Sequence, residues 1–271
     1  MYISKLLETG WTLPERFCVK AADGVTDIYG VLYRPHTLNE KQRYPVLDSP
    51  YPGPQHGRVL PSFGDYINYD PEAMAALGFA VVTLDGRGTP GRSREFLSVS
   101  RGHLDNGGFL EDHLAAIQQL AKSRPWMDLD RVGIYGLSGG GFATVRALCA
   151  YPEFYKVGVS SCGNHDQRLY QASWGETYIG PLGDNREAYL KASNVDIADR
   201  LQGKLLLIHG EMDDNVHPHL TMRLVDRLIA ANKDFDLLIV PGAEHAFVGY
   251  MGYVYRRRWD FFVRHLKGAT Q

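Results

Sequence analysis

The run Gly136-Leu137-Ser138-Gly139-Gly140 fits the pattern Gly-x-Ser-x-Gly, and its flanks restrict what this chain can fold into. Residues 131–135 before it are an apolar, β-branched run typical of a strand. Residues 141–150 after it are good helix formers. Such a turn needs flanking glycines, because a Cβ would collide with the adjoining strand and helix. The sequence therefore predicts a strand, a tight turn and a helix, with the Ser138 hydroxyl at the helix N-terminus, where N–H groups can stabilise an anion.

The rest of the chain alternates strands with helices after an N-terminal hairpin. Predicted strands cover residues 16–20, 26–33, 44–49, 79–84, 132–135, 156–160, 205–208 and 235–240, and predicted helices cover 71–77, 109–121, 141–150, 219–230 and 253–266. This order predicts an α/β fold, with a mostly parallel central sheet and helices on both faces. Residues 1–15 are predicted as a connector and 16–271 as one domain. Within it, residues 163–200, polar and aromatic with weak periodicity, are predicted as an inserted helical and aromatic pocket segment.

Charge and hydropathy exclude several classes of protein. The 29 Lys and Arg residues against 31 Asp and Glu give a net charge of −2. This nearly balanced charge does not indicate a binding surface for a nucleic acid or an anionic membrane. The run Arg256-Arg257-Arg258 is predicted as the solvated face of the last helix. No apolar stretch reaches the roughly 18–20 residues that span a bilayer. The first residues show no signal-peptide pattern, so a cytoplasmic location is expected if the chain is complete.

The cysteines do not suggest a metal site. There are three, and their spacing matches no zinc motif. Cys149 falls in the helix after Ser138, and Cys162 follows an apolar strand, so both are predicted as buried free thiols.

An acidic residue and a histidine follow the last two predicted strands. The strand at 205–208 leads into a segment that contains Asp213, and the strand at 235–240 leads into His245. Serine, acid and histidine in this order are typical of α/β-hydrolases. Our hypothesis is that Ser138 attacks an acyl carbonyl and His245 takes its proton. Asp213 would orient His245 and stabilise its charged form.

The residues leave alternatives open. Asp214 could replace Asp213 as the acid. Asp213, Asp214, His217 and His219 could form a metal cluster, although Pro218 interrupts them and no metal motif fits. His103, His113, His165 and His209 are other candidate bases, but none follows the last strand, and a hydrogen-bonded or surface role is expected for each. Glu244 is expected to be solvated.

Five segments, in order, resemble the catalytic domain of the prolyl oligopeptidase family of serine peptidases, most of all its dipeptidyl peptidase IV branch. They are Tyr51-Pro52-Gly53-Pro54, Asp85-Gly86-Arg87-Gly88, Gly136 to Gly140, His209-Gly210-x-x-Asp213-Asp214-Asn215-Val216-His217 and Glu244-His245. The resemblance implies the α/β-hydrolase fold and no cofactor or metal. It also implies that Asp213 is the triad acid. The Tyr51 hydroxyl and the Gly139 N–H would then form the oxyanion hole.

The resemblance also implies a substrate pocket. Tyr170, Trp174 and Tyr178 would supply aromatic walls for a proline ring, and Asn215 and Val216 would contribute a polar contact and a wall. The dipeptidyl peptidase after which the branch is named carries tyrosine directly after the nucleophile, where this chain has Gly139, so a wider pocket is expected. Family members usually carry an N-terminal β-propeller, which cannot fit before Arg16.

The expected function is a serine peptidase that hydrolyses short peptides after proline or a small residue. A carboxylesterase with the same triad is the alternative, and a non-catalytic partner-binding lobe is less expected because the triad is intact. The expected partner is a small peptide, with no nucleic acid and no membrane. A homodimer and a β-propeller outside this chain remain compatible with the sequence.

Overall fold

Eight strands form one sheet in the part of the chain that the computed structural model describes, residues 4–51, 53–59 and 70–268. They are β1 Glu15–Lys20, β2 Asp27–Tyr33, β3 Tyr44–Asp48, β4 Ala80–Asp85, β5 Met127–Leu137, β6 Tyr155–Ser161, β7 Lys204–Gly210 and β8 Asp236–Val240. Their order across the sheet is β1-β2-β4-β3-β5-β6-β7-β8. The β1–β2 and β2–β4 pairs are antiparallel, and every other neighbouring pair is parallel.

Helices lie between most of the parallel strands and at both ends of the described chain. They are α1 Ser4–Leu7, α2 Asp70–Ala76, α3 Arg94–Ser98, α4 Leu110–Lys122, α5 Gly139–Ala150, α6 Ala172–Tyr178, α7 Arg186–Lys191, α8 Pro218–Ala230 and α9 Met251–Phe262. Short 3₁₀ turns occupy Leu104–Asn106 and Val195–Arg200, and a π-helical turn at Val263–Lys267 extends α9. None of the helices in the described residues is long and apolar enough to cross a membrane.

The core lies on both faces of the sheet. Ile134 of β5 belongs to a cluster with Ile117 and Leu148, whereas its neighbour Tyr135 belongs to a second cluster with Phe262. Successive side chains of a strand point to opposite faces, so one apolar strand supplies both clusters. Complete burial of one large apolar side chain contributes about 1.5–3 kcal/mol, and the central strands are buried along almost their whole length.

The structure confirms the predicted alternation and the helices on both faces of a mostly parallel sheet. The observed boundaries of the elements differ from the predicted ones by a few residues. The largest difference is at β5, which begins at Met127 because its first residues pair with Tyr44 and Pro45 of β3. Helix α3 was not predicted; the Ser93 side chain caps it by accepting a hydrogen bond from the amide of Phe96.

The 163–200 segment, weakly periodic in sequence, contains α6, α7 and a 3₁₀ turn. An isolated bridge between Asp166 and Ser193 brings its two ends together. The connector at 1–15 and the domain boundary at residue 16 stay predictions, and residues 1–3 lie outside the described part of the chain.

The prediction of a solvated basic face on the last helix was wrong for one residue. Arg258 is buried; its Nη2 lies 2.6 Å from Oδ1 of Asp70, and its guanidinium stacks over Tyr135 and Tyr255. Arg256 is exposed as predicted. Three consecutive arginines do not indicate in sequence that one is buried and another exposed. The helical periodicity alone decides which of them faces the core. Cys149 and Cys162 are buried free thiols, as predicted.

Candidate active site

Ser138 sits in a backbone conformation that few residues adopt. Its φ is 59° and its ψ −119°, between the end of β5 and the start of α5. A Cβ on Gly136 would lie 2.5 Å from Cα of Gly140, and a Cβ on Gly140 would lie 2.7 Å from the carbonyl oxygen of Pro50. Glycine is therefore required at both positions. The turn predicted from the sequence is present, with Ser138 at the first turn of α5.

Three neighbouring strand ends are tied together beside this turn. The amide of Ser138 donates to the carbonyl of Ser161 at 2.8 Å, and the amide of Cys162 donates to Ile208 at 2.9 Å. The loops after β7 and β8 are joined by the amide of Met212, which donates to Ala243 at 2.9 Å. The carboxyl ends of β5, β6, β7 and β8 thus form one continuous edge.

Asp213 and His245 meet at that edge. Nδ1 of His245 lies 2.7 Å from Oδ2 of Asp213, and the amides of Asn215 and Val216 donate to Oδ1 at 3.0 and 2.8 Å. Burial alone would raise the pKa of the Asp213 carboxyl, but the hydrogen bonds from His209, His245 and the Val216 amide hold that pKa well below its usual range. Asp213 is therefore an ionised acceptor that fixes the tautomer of His245.

The Ser138 hydroxyl has no hydrogen-bond partner among the described residues. It is only partly buried, and the His245 side chain is 19% exposed, so both can be reached from solvent. A serine–histidine hydrogen bond commonly forms only when substrate is bound.

His209 contacts the same acid, which sequence reasoning missed. Its Nε2 lies 3.2 Å from Oδ2 of Asp213 and 2.8 Å from the carbonyl of Val216, while Nδ1 lies 2.7 Å from Oγ1 of Thr221. Two acceptors face Nε2, so Nε2 carries the proton, and the Thr221 hydroxyl donates to Nδ1. His209 is completely buried and supports the acid.

The alternative triad acid and the alternative metal cluster considered from the sequence are not formed by the residues proposed for them. Asp214, His217 and His219 are exposed, and Glu244 is exposed as expected. Among the described residues, the group close enough to share a metal ion is instead Cys162, His209 and Asp213. Both ring nitrogens of His209 are already engaged, and burial raises the pKa of the Cys162 thiol far above its usual range, so it stays protonated. This group therefore does not fit a metal.

The remaining candidate bases are occupied elsewhere. His113 is buried with its Nδ1 2.9 Å from Asp48. His165 is buried with its Nδ1 3.2 Å from the side-chain nitrogen of Asn194, and His103 is exposed at the border of a small cavity.

The expected oxyanion-hole groups lie at the same turn. Gly139 is the first residue of α5, so its N–H is among those without a partner inside the helix. The ring of Tyr51 lies near Gly140, 3.9 Å from an ideal Cβ there, and packs edge-on against His56 with centroids 4.9 Å apart. The Tyr51 hydroxyl donates to no described residue. Pro52 of this loop lies outside the described residues.

The predicted pocket residues divide into two groups. The hydroxyl of Tyr170 donates to Oδ1 of Asn215 at 2.9 Å, and Val216 is completely buried under the acid loop. Trp174 borders a cavity of about 30 Å³ that Gly139 also lines. Tyr178 is not among the residues that line this cavity; it packs against Trp174 with ring centroids 4.5 Å apart.

Several residues that were not predicted also line the cavity, among them Phe142, Asn164 and Gln167. Asn164 and Gln167 follow β6, and the rule that ligands bind beyond the carboxyl ends of parallel strands could have indicated them. Phe142, one turn into α5 on the side of Gly139, could have been indicated by helical spacing.

Comparison with known proteins identifies the class. Residues 66–269 match the model of the prolyl oligopeptidase family. Dipeptidyl peptidase 8 of Mus musculus and that of Homo sapiens are each 32% identical to this chain over 242 residues, 87% of it. The crystal structure of Porphyromonas gingivalis dipeptidyl peptidase 4 superposes with a TM-score of 0.87 at 30% identity, over 94% of this chain.

The fold is thus the α/β-hydrolase fold, as predicted from the sequence. The chain belongs to the prolyl oligopeptidase family of serine peptidases. It spans only part of its relatives: 27% of the mouse protein, 26% of the human protein and 36% of the P. gingivalis chain.

Proposed function

We propose that this chain is a serine peptidase that cleaves short peptides through an acyl-enzyme, with Ser138 as nucleophile, His245 as base and Asp213 as the orienting acid. The observation that carries the proposal is the 2.7 Å contact between His245 and Asp213 at the strand ends beside the Ser138 turn. The family to which the chain belongs supports a peptide as the substrate.

Each residue has one task in the reaction. The Ser138 oxygen attacks the acyl carbon while Nε2 of His245 takes the hydroxyl proton. The carbon–nitrogen bond then breaks, and His245 returns the proton to the leaving amine. Water repeats the sequence on the acyl-enzyme and releases the acid. Asp213 stabilises the imidazolium throughout, because it remains ionised with four hydrogen-bond donors around it.

The negative charge that develops on the acyl oxygen in the transition state is stabilised by hydrogen-bond donors that are already in position before the reaction. The Gly139 N–H and the Tyr51 hydroxyl are proposed for this task, since neither is committed to a described partner. Tyr170 and Asn215 form one hydrogen-bonded wall of the site, and we propose that this wall meets the substrate backbone. Val216 stabilises the acid loop from beneath. A β-propeller outside this chain and a homodimer stay predictions.

The proposal is tested by active-site labelling. A fluorophosphonate probe should attach to the wild-type chain and fail to attach to Ser138→Ala, and the substitution should cost on the order of 10⁶ in turnover. A labelled Ser138→Ala variant would overturn the assignment. Rates with peptide amides and with short acyl esters, measured on the same preparation, distinguish a peptidase from an esterase. Turnover of esters alone would establish an esterase.

A further inference from the structure

The loop that carries Tyr51 begins where β3 ends. The amide of Ser49 donates to the carbonyl of Val82 in β4 at 3.0 Å. The carbonyl oxygen of Pro50 lies 2.7 Å from the place where a Cβ on Gly140 would stand, so the chain enters the loop in close contact with the nucleophile turn. These contacts fix the entry of the loop, and the position of the Tyr51 ring depends on how the rest of the loop is held.

The outer side of this loop borders open space. Residues 55–57 and Val59 line an open hollow of about 480 Å³ between the described residues, and Asp85 lines it as well. The ring of His56 packs edge-on against the ring of Tyr51, with centroids 4.9 Å apart, so a shift of this outer segment is passed on to Tyr51. Side-chain packing does not fill the hollow, so polar contacts have to hold the loop on this side.

Asp85, the last residue of β4, binds the returning end of the loop. The amide of Arg58 donates to its Oδ1 at 2.5 Å, and the amide of Val59 donates to its Oδ2 at 3.3 Å. A Cβ on Gly57 would lie 3.3 Å from Oδ2, so the backbone passes close to the carboxylate. Hydrogen bonds to an ionised acceptor are about twice as strong as those between neutral groups. One carboxylate therefore holds two consecutive amides of the loop.

The side chain of Arg58 joins the returning end of the loop to its entry. Its Nε donates to the carbonyl of Ser49 at 3.3 Å, and its Nη2 donates to the Ser49 hydroxyl at 3.0 Å. Ser49 is buried, and two donors of one planar guanidinium bind it, which restricts the orientation of both residues. Arg58 thus closes the loop, because its amide is bound at the end of β4 and its side chain at the end of β3.

We propose that Arg58 and Asp85 are positioning residues of the oxyanion hole, which close the loop and thereby hold the Tyr51 hydroxyl where negative charge develops. Both act through Tyr51 rather than on the substrate. The inference rests on the function proposed above, in which Tyr51 is a donor. Such a donor works because it is in place before the charge forms, and a misplacement of about 1 Å can lower a rate by about 10²-fold.

Two substitutions loosen the loop at different points. Arg58→Met removes both hydrogen bonds to Ser49 and keeps the amide that binds Asp85. Asp85→Asn keeps one acceptor oxygen and removes the charge. Each should lower kcat by about 10-fold with KM nearly unchanged, because the lost interaction belongs to the transition state. The substrate is whichever is turned over fastest among a prolyl and an alanyl amide of 7-amino-4-methylcoumarin and p-nitrophenyl acetate, since an oxyanion hole serves amides and esters alike.

The deciding comparison repeats both substitutions in a Tyr51→Phe background. The hydroxyl that the closed loop positions is absent there, so Arg58→Met and Asp85→Asn should each change kcat by less than about two-fold. A merely structural role would lower kcat by the same factor in both backgrounds, and that result would overturn the inference. If Asp85→Asn fails to fold, Arg58→Met, at a partly exposed side chain, still decides.

Arg131 provides the matched control for Arg58. Its guanidinium also donates to backbone carbonyls, those of Leu266 and Arg43 at 3.1 and 3.0 Å, and it lies on β5 well before Ser138. Arg131→Met therefore removes comparable hydrogen bonds away from the site and should leave kcat unchanged. An equal fall in kcat for the two arginine variants would mean that loss of fold stability, rather than loss of position, lowers the rate, and would overturn the inference.

The outcomes separate this inference from the proposed function. Unchanged kcat in Arg58→Met and Asp85→Asn, with Ser138 still labelled by the fluorophosphonate probe, overturns the positioning role alone. An unchanged rate in Tyr51→Phe removes Tyr51 from the oxyanion hole, and the inference with it, while labelling of Ser138 persists. Absence of labelling at Ser138 overturns both proposals.

Discussion

Nε2 of His209 lies 3.2 Å from the same Asp213 oxygen that accepts a hydrogen bond from His245. One carboxylate oxygen therefore holds two histidines, of which only His245 is reachable from solvent. His209 is completely buried between Thr221 and the Val216 carbonyl, so it keeps the carboxylate from rotating.

Replacing His209 should therefore slow the chemistry without removing any group that touches substrate. We expect His209→Leu to lower kcat by about 10²-fold with a smaller change in KM, because a small displacement of Asp213 misaligns His245. His209→Gln should recover part of the loss, since its amide can still donate. The rate of fluorophosphonate labelling should fall in parallel, and an unchanged labelling rate would contradict the positioning role.

Tyr51→Phe should lower kcat by about 10²–10³-fold, because it removes one of the two proposed donors to the developing negative charge. The free energy of unfolding should not change, since the Tyr51 hydroxyl bonds to no described residue. Tyr151→Phe is the matched control: Tyr151 lies just past the C-terminal end of α5, the helix whose first turn holds Ser138. Equal rates for Tyr51→Phe and wild type would exclude Tyr51 from the oxyanion hole.

Arg258→Met should destabilise the fold by about 3–5 kcal/mol, because it leaves the carboxylate of Asp70 buried without its counter-charge. Arg256→Met, two residues away and exposed, should cost less than about 0.5 kcal/mol. Urea unfolding of the two variants measures the difference. Adding Asp70→Asn to Arg258→Met should recover stability, and similar losses for both single variants would disprove the buried pair.

The free energy of unfolding should decrease as the pH is lowered, and His165 should account for part of this decrease. Burial, with smaller contributions from His209 and Arg146, lowers the pKa of His165 to about 3. The unfolded chain takes up the proton near its ordinary pKa of about 6.5, and the folded chain does not until about 3, so stability falls as pH falls between these values, by up to about 1.4 kcal/mol per pH unit.

His165→Leu should make that slope shallower between about pH 4 and 6.5, as followed by urea midpoints. His219→Leu, at an exposed histidine, should leave the slope as in the wild type. The same slope in all three proteins would mean that His165 takes up its proton in the folded chain as readily as in the unfolded chain, so that folding does not lower its pKa, contrary to this account.

The sequence predicted the turn at Ser138 and the approach of Asp213 to His245, because parallel strands bring distant segments to one edge. Each of these residues follows a strand, and their order along the chain is that expected for a triad. The contact of His209 with Asp213 could not be predicted in this way, since a histidine one residue from a strand end can face the core or solvent. Arg258 illustrates the same limit, because nothing in three consecutive arginines indicates which one is paired.

The pocket was the least predictable part. Asn164 and Gln167 border the cavity and hydrogen-bond to each other, and such bonds leave no pattern in the composition. The aromatic residues of the segment could be predicted because they are rare and spaced as on a helix. Asparagine and glutamine are common residue types, so their place beside the cavity could not be predicted.

The position of the last strand has a consequence for how heat or urea acts on the candidate site. β8 has a neighbour only in β7 among the described strands, and Asp236 and Leu237 at its start are exposed. His245 is carried by the loop after that strand, while Ser138 is carried by β5 in the middle of the sheet. Gentle heating or low urea will therefore separate base from nucleophile by fraying one edge, well before the interior melts. If Ser138 and His245 act as proposed, turnover should decay ahead of any spectroscopic signal from the core.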